Sequence, residues 1–261
     1  MRQTIGPNMA AATPVAAASI IRQVAQTSPA VAAELEKLCN GLSDATGGQP
    51  IARVRSGQLY SSCGIAIALA NTVAVQTATA FSVGVNNANA SLAGGRVMTF
   101  ADTNLTTGGS LKNSAFLATG FGVKMSLDTD ANTRGADTYD LLNPTLSWIN
   151  ENVSLSLQIG AQDVQRLGAL SDWPAGGTRI GSQYASGANA AIQTLGQIGD
   201  EPNGPGSVFD FDLAIPAEAT IRLDCKVERA GTAPVGGAIP AAQVVRLKTT
   251  FYGYEITALQ G

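Results

Sequence analysis

Residues 116–127 constrain this chain more than any other stretch. Phe116, Ala118, Gly120, Gly122, Lys124 and Ser126 alternate with Leu117, Thr119, Phe121, Val123, Met125 and Leu127. One set is mostly apolar and the other small or polar. A period of two is that of a strand with one buried face, whereas a helix would bring apolar residues back every three or four positions. Upstream, Val97, Met98, Thr99 and Phe100 form a short strand candidate. The Thr, Gly and Ser residues between the two runs favour turns over helix. Segment 96–127 thus reads as strand, long polar crossing, strand.

A shorter unit of the same kind lies at 207–228. Phe209, Phe211 and Leu213 alternate with Asp210 and Asp212, the chain turns at Pro216, and Ile221, Leu223, Cys225 and Val227 alternate with Arg222, Asp224, Lys226 and Glu228. Two copies of one unit predict a duplicated β-domain. The best boundary is Asn143-Pro144, because a residue before proline leaves the helical region. Further strands are expected at 51–60, 63–70, 72–78, 79–85, 146–148, 153–159 and 244–256, with loops at 86–95 and 128–140 and an irregular stretch at 167–206.

Residues 1–49 differ in kind. Thr13 before Pro14 and Ser28 before Pro29 are N-cap and first-turn pairs for two helices. In the second helix Val31, Leu35, Leu38 and Leu42 form an apolar stripe, and Gly41 and the Gly47-Gly48 pair provide stop signals. The charges of this arm cancel, Arg2, Arg22 and Lys37 against Glu34, Glu36 and Asp44. It is a docking element whose stripe needs a protein partner, on its own β-domain or on a neighbouring subunit. We assign it to self-assembly, so that deleting residues 1–45 should leave the β-region folded and impair assembly.

Only 13% of residues are charged and the net charge is −3. Nucleic-acid binding needs a concentrated basic patch, and no Lys/Arg cluster is present. A surface this poor in charge suits a protein that covers itself with copies of itself; a robust secreted monomer is the plainer reading. No apolar run reaches the roughly 18 residues of a membrane span, and Pro14 and Arg22 break up the N-terminal Ala-rich patch, so no secretory signal is expected.

The chain has no histidine, which removes Ser-His-Asp and Cys-His nucleophiles, His-based metal sites and the usual general base. Cys39, Cys63 and Cys225 are widely spaced and read as small buried hydrophobes. Gly120-Phe121-Gly122 lies within a strand and cradles no phosphate. Asp210 and Asp212 share a strand face, and with Asp224 and Glu228 they read as the solvent side of a sheet, not as a glycosidase pair. Asp128, Asp130, Asn132 and Asp137 place oxygens along one loop as a calcium site would, but Gly135 comes late, no Glu closes the loop and Arg134 opposes a cation. An Asx-rich turn is the simpler reading, and no cofactor is expected. Asn89, Asn104 and Asn152 stand in N-x-S/T sequons.

The segments Phe100-Ala-Asp-Thr-Asn104-Leu105, 116–127, Phe209-Asp-Phe-Asp-Leu-Ala-Ile-Pro216 and Thr250-Phe-Tyr-Gly-Tyr-Glu255 together resemble the jelly-roll major capsid proteins of tailless icosahedral bacteriophages, over residues 50–261. The resemblance implies two tandem antiparallel jelly-roll sandwiches, at 50–143 and 144–261, behind the helical arm of 1–49; a single elaborated jelly roll is the alternative. It further implies a non-enzymatic shell protein forming homotrimeric capsomers, assembled in the host cytoplasm and resident in the virion. Its partners would be itself, other capsid proteins and an internal membrane toward which the arm points. The rival function is a carbohydrate- or receptor-binding β-sandwich such as a spike or lectin, for which Trp148 and Trp173 are the available ring platforms.

Overall fold

The computed structural model describes residues 15–47, 51–68, 72–128, 148–173, 207–232 and 243–258. Two helices, α1 (Val15–Thr27) and α2 (Pro29–Ala45), precede the strands. The break between them is local chemistry. Ser28 is extended (φ −148°, ψ 92°), as a residue before proline must be, and Pro29 opens α2 at a position where its missing N–H costs nothing. Gly41 does not end α2; the helix runs on until Thr46 turns its hydroxyl back to the Leu42 carbonyl at 2.8 Å.

The strands are β1 (Ile51–Ile67), β2 (Thr72–Val73), β3 (Thr77–Ala80), β4 (Ser114–Leu127), β5 (Val153–Ile159), β6 (Gln165–Ala169), β7 (Ser207–Ile215), β8 (Ile221–Val227), β9 (Gly231–Thr232) and β10 (Gln243–Ala258). They form two four-stranded antiparallel sheets, β1-β10-β4-β7 and β3-β8-β5-β6, and a small β2-β9 ladder. The pairings are nested. β1 pairs with β10, β2 with β9, β3 with β8, β4 with β7 and β5 with β6, so the chain is one long hairpin bent at the β5-β6 turn and rolled up. The β10-β4 and β8-β5 pairings close the roll.

This all-β sandwich corrects the expected organisation. The line at Asn143-Pro144 leaves β1 to β4 on one side, and none of these strands pairs with another of them; every partner lies beyond the line. The 207–228 unit is not a repeat of 96–127, because β7 and β8 belong to different sheets and Pro216 sits at the corner between them. Nor do Val97 to Phe100 form a strand: Val97 makes one isolated bridge to Ala88 and the chain then turns. β1, expected as two strands, is one of 17 residues.

The two sheets face each other over a core that includes Cys63, Ile65, Phe121, Val123, Leu155, Leu223, Leu247 and Phe251. Phe81, just after β3, is fully buried in the left-handed region (φ 66°) and stacks on Phe251 with ring centroids 5.4 Å apart. Phe251 in turn lies 5.1 Å from Phe121.

A bulge at Thr119 divides β4. Tyr252 pairs with Gly120 and Gly253 with Ala118, so the extra residue reverses which parity points inward. Beyond the bulge Phe121, Val123 and Met125 enter the sandwich; before it Phe116 and Ala118 do, while Ala115 and Leu117 turn outward under the helices. The bulge is tight. A Cβ on Gly253 would lie 1.9 Å from the Leu117 carbonyl oxygen, so the backbones meet this closely only at glycine.

Candidate functional site

The excursion between β3 and β4 is 33 residues long and folds back along the free edge of β1, the outer strand of its sheet. An open edge invites pairing with another chain. Here side chains occupy it. The Asn104 Oδ1 accepts from the Tyr60 amide at 2.9 Å while its Nδ2 donates to the Gln58 carbonyl at 2.6 Å. Asn89 Nδ2 donates to the Ser62 carbonyl, and Ser91 Oγ accepts from the Gly64 amide at 3.1 Å. Farther along, Gln76 grips both the amide and the carbonyl of Ala66, each at 3.0 Å. Three carboxamides and the Ser91 hydroxyl thus stand in for a neighbouring strand from Gln58 to Ala66.

An ion cluster fastens this excursion to the sheet. Arg96 reaches Asp102 with Nη1 to Oδ2 at 2.7 Å and Nη2 to Oδ1 at 2.8 Å, and reaches Asp128 at the end of β4 with Nη2 to Oδ1 at 2.6 Å. Arg246 of β10 adds a bond to Asp102 Oδ1 at 3.0 Å, and the Thr99 amide and hydroxyl donate to Asp102 Oδ2. Burial opposes the charge on Asp102, but the hydrogen bonds from Arg96 and Thr99 outweigh it and hold the carboxyl well below the usual carboxylate range. The Arg96 guanidinium is correspondingly raised above its ordinary value, first by its bonds to Asp102.

This cluster holds up an apolar tip. Phe100 is 66% exposed and Val97 51%. The backbone of the Phe100 turn is nevertheless fixed: Tyr60 Oη donates to the Phe100 carbonyl at 2.6 Å and Lys248 Nζ donates to the Ala101 carbonyl at 3.0 Å while lying 3.9 Å from the Tyr60 ring centroid. A ring in water on a turn tied down from two strands, β1 and β10, is a pre-organised contact, since little conformational freedom remains to be lost when it docks.

The residues singled out in the sequence fall in several places. Of the candidate calcium loop, Asp130, Asn132 and Asp137 lie outside the described residues. Asp128 is buried, and its carboxylate is taken by Arg96 and by the Ala93 amide at 3.0 Å. Leu35, Leu38 and Leu42 are buried and Val31 half-buried against Ile51, Val54, Leu117 and Ile256 of the same chain. The arm's stripe therefore finds its partner within its own subunit, on the face of the β1-β10-β4-β7 sheet opposite the sandwich core. Among the described residues no helix is long and apolar enough to cross a membrane.

Both tryptophans pack inward. Trp148 lies against Gly231, and Trp173 meets Phe121 edge-on at 5.0 Å and donates its Nε1 to the Leu167 carbonyl. Neither is a free ring platform. The sequon asparagines Asn89, Asn104 and Asn152 donate their side-chain nitrogens to the Ser62, Gln58 and Trp148 carbonyls.

The carboxylates expected on one sheet are divided, with Asp210 and Asp212 in β7 and Asp224 in β8 of the other sheet. The outer face of that second sheet carries a polar hollow of about 750 Å³. Its acids are paired, Asp224 with Arg222 at 3.0 Å and Thr79 at 2.6 Å, Glu228 with Lys226 at 2.8 Å and Ser154. Such pairs make a solvated face. Sequence reasoning missed the Arg96 cluster, because its members are spread over 151 positions (96 to 246) and carry no local motif. No protein-family model, curated protein or solved structure matches the chain.

Proposed function

We propose that the chain is the structural subunit of a virion shell, a major capsid protein built as one elaborated jelly roll. The nested connectivity, eight of whose strands make the two larger sheets, supports the fold part of this reading, since a hairpin doubled and rolled into two four-stranded sheets is the jelly-roll arrangement used by viral shells and by lectins. It favours one jelly roll over two in tandem, because strands 51–127 have their partners only after residue 143. Fold alone does not select a function.

The observation that carries the functional reading is the contrast at Phe100: a ring 66% exposed on a turn braced by an ion cluster, in a chain whose charged residues are only 13%. A free monomer has no use for a rigid apolar tip on a surface this weakly charged. A second copy of the chain is the occupant that explains both. With the free edge of β1 occupied by side chains from Gln58 to Ala66, copies meet through side-chain contacts around Phe100 and Val97 and not by adding a strand there. Homotrimeric capsomers, other shell proteins as neighbours and residence in the virion belong to the same proposal. A sugar-binding role is less favoured, since both tryptophan rings are packed inward.

Light scattering and electron microscopy of the purified chain test it. The wild type gives trimers or larger particles, and Phe100→Asp combined with Val97→Ser gives a monomer whose melting temperature is unchanged. A wild type that stays monomeric at high micromolar concentration, or a double variant that assembles normally, overturns it.

A further inference from the structure

We propose that Cys63 and Cys225 are a latent cross-sheet disulfide, present as thiols under reducing conditions and closed into a staple between the two sheets by an oxidant of the small-molecule disulfide class. The inference rests on the sandwich alone and stands or falls apart from the shell reading.

Cys63 lies on β1 and Cys225 on β8, strands of opposite sheets, and both side chains point into the shared core with no exposed surface. The Cys63 thiol donates to the Cys225 sulfur across 3.7 Å. A disulfide needs about 2 Å, so closing the bond asks for side-chain rotation and a small approach of the sheets. The third thiol, Cys39, sits on α2 in the separate cluster under the helices and does not compete. Hydrogen bonding joins neighbouring strands within each sheet but not β1 to β8. The bond would tie residues 162 positions apart, and a loop that long restricts the unfolded chain strongly.

The chemistry balances in two exchanges. One protein thiolate attacks the small disulfide, forms a mixed disulfide and releases one small thiolate; the second protein thiolate then attacks the protein sulfur of that mixed bond and releases the other. The two cysteines together lose two protons and two electrons, and the small disulfide gains them to become two thiols. Access decides the rate. The Cys225 thiol is raised well above its ordinary value, first by its contact with Cys63 and then by burial, so the native chain exposes no ready thiolate there. Oxidation is therefore fast while the chain folds and slow once the sandwich has closed.

The full chain is refolded with either oxidised glutathione or dithiothreitol, quenched with iodoacetamide in denaturant, and weighed. With oxidised glutathione we expect one alkylated cysteine, Cys39, in place of three; a peptide map joining 63 to 225; and a melting temperature roughly 5–10 °C higher that returns on reduction. Cys39→Ala keeps the shift, whereas Cys63→Ala and Cys225→Ala lose it. Three alkylated thiols, a persistent glutathione adduct or a bond to Cys39 overturns the proposal, and the wild-type peptide map decides the matter even if the alanine variants fail to fold.

Discussion

Arg96 holds Asp102 with both ends of its guanidinium, at 2.7 and 2.8 Å, and the carboxylate it holds is only 1% exposed. Planar, two-point pairing of this kind is stronger than a single charge contact. It also leaves Asp102, the buried partner, dependent on Arg96, whereas Arg96 is one-third exposed and has Asp128 as a second acceptor.

Asp102→Ala should therefore destabilise the fold by about 2 kcal/mol, since Arg96, Arg246 and Thr99 each lose an acceptor, while Arg96 keeps Asp128 and Arg246 keeps Ser126. Chemical denaturation with tryptophan fluorescence measures this. A loss below about 1 kcal/mol would mean that the excursion is held mainly by its carboxamide bonds to β1.

The same carboxylate sets an acid limit. Its folded value lies below its unfolded one, so the stability it contributes is complete above the unfolded value near pH 4 and is lost as pH falls through the folded value. Melting temperature should drop on acidification below about pH 4, and Asp102→Asn should show a shallower drop over the same range. Equal slopes in the two proteins would assign the acid loss to other carboxylates.

Some of this fold is readable from local pattern. β5 and β8 occupy 153–159 and 221–227, as alternation predicts, because each has one face in the core and one in solvent along its whole length. The run 116–127 is harder, since the Thr119 bulge exchanges the two faces and helices bury Leu117 on the side the pattern assigns to the core of a simple sheet. β1 reads as two strands because Ser61, Ser62 and Gly64 look like a break; Ser62 and Gly64 are buried because the 81–113 excursion covers them, and Ser61 is buried on the parity of Leu59 and Cys63, toward the sandwich core. The organisation into one roll rests on pairings such as Ile51 with Ala258, a separation of 207 positions that no local signal records. For the same reason the ion cluster leaves no mark in the sequence, whereas the sequon and calcium-loop motifs are local patterns.

The arm gives the last prediction, and its packing within its own subunit argues against the expectation that the β-region folds without it. Leu35 is fully buried, Leu42 is 1% exposed, and beneath them lie Leu117 and Ile256, both with no exposed surface. Each such side chain contributes about 2 kcal/mol when taken from water, and removing the helices would uncover the sheet residues as well as delete the leucines. The total is comparable to the whole stability of an ordinary domain. Deleting residues 1–47 should give an insoluble or unfolded product, and Leu35→Ala in the full chain should lower stability by about 3 kcal/mol. Circular dichroism and solubility of the two proteins measure both outcomes. A truncated chain that stays soluble with a cooperative β-sheet melt would show that the sandwich core alone holds the roll together, and would return the arm to a role between subunits.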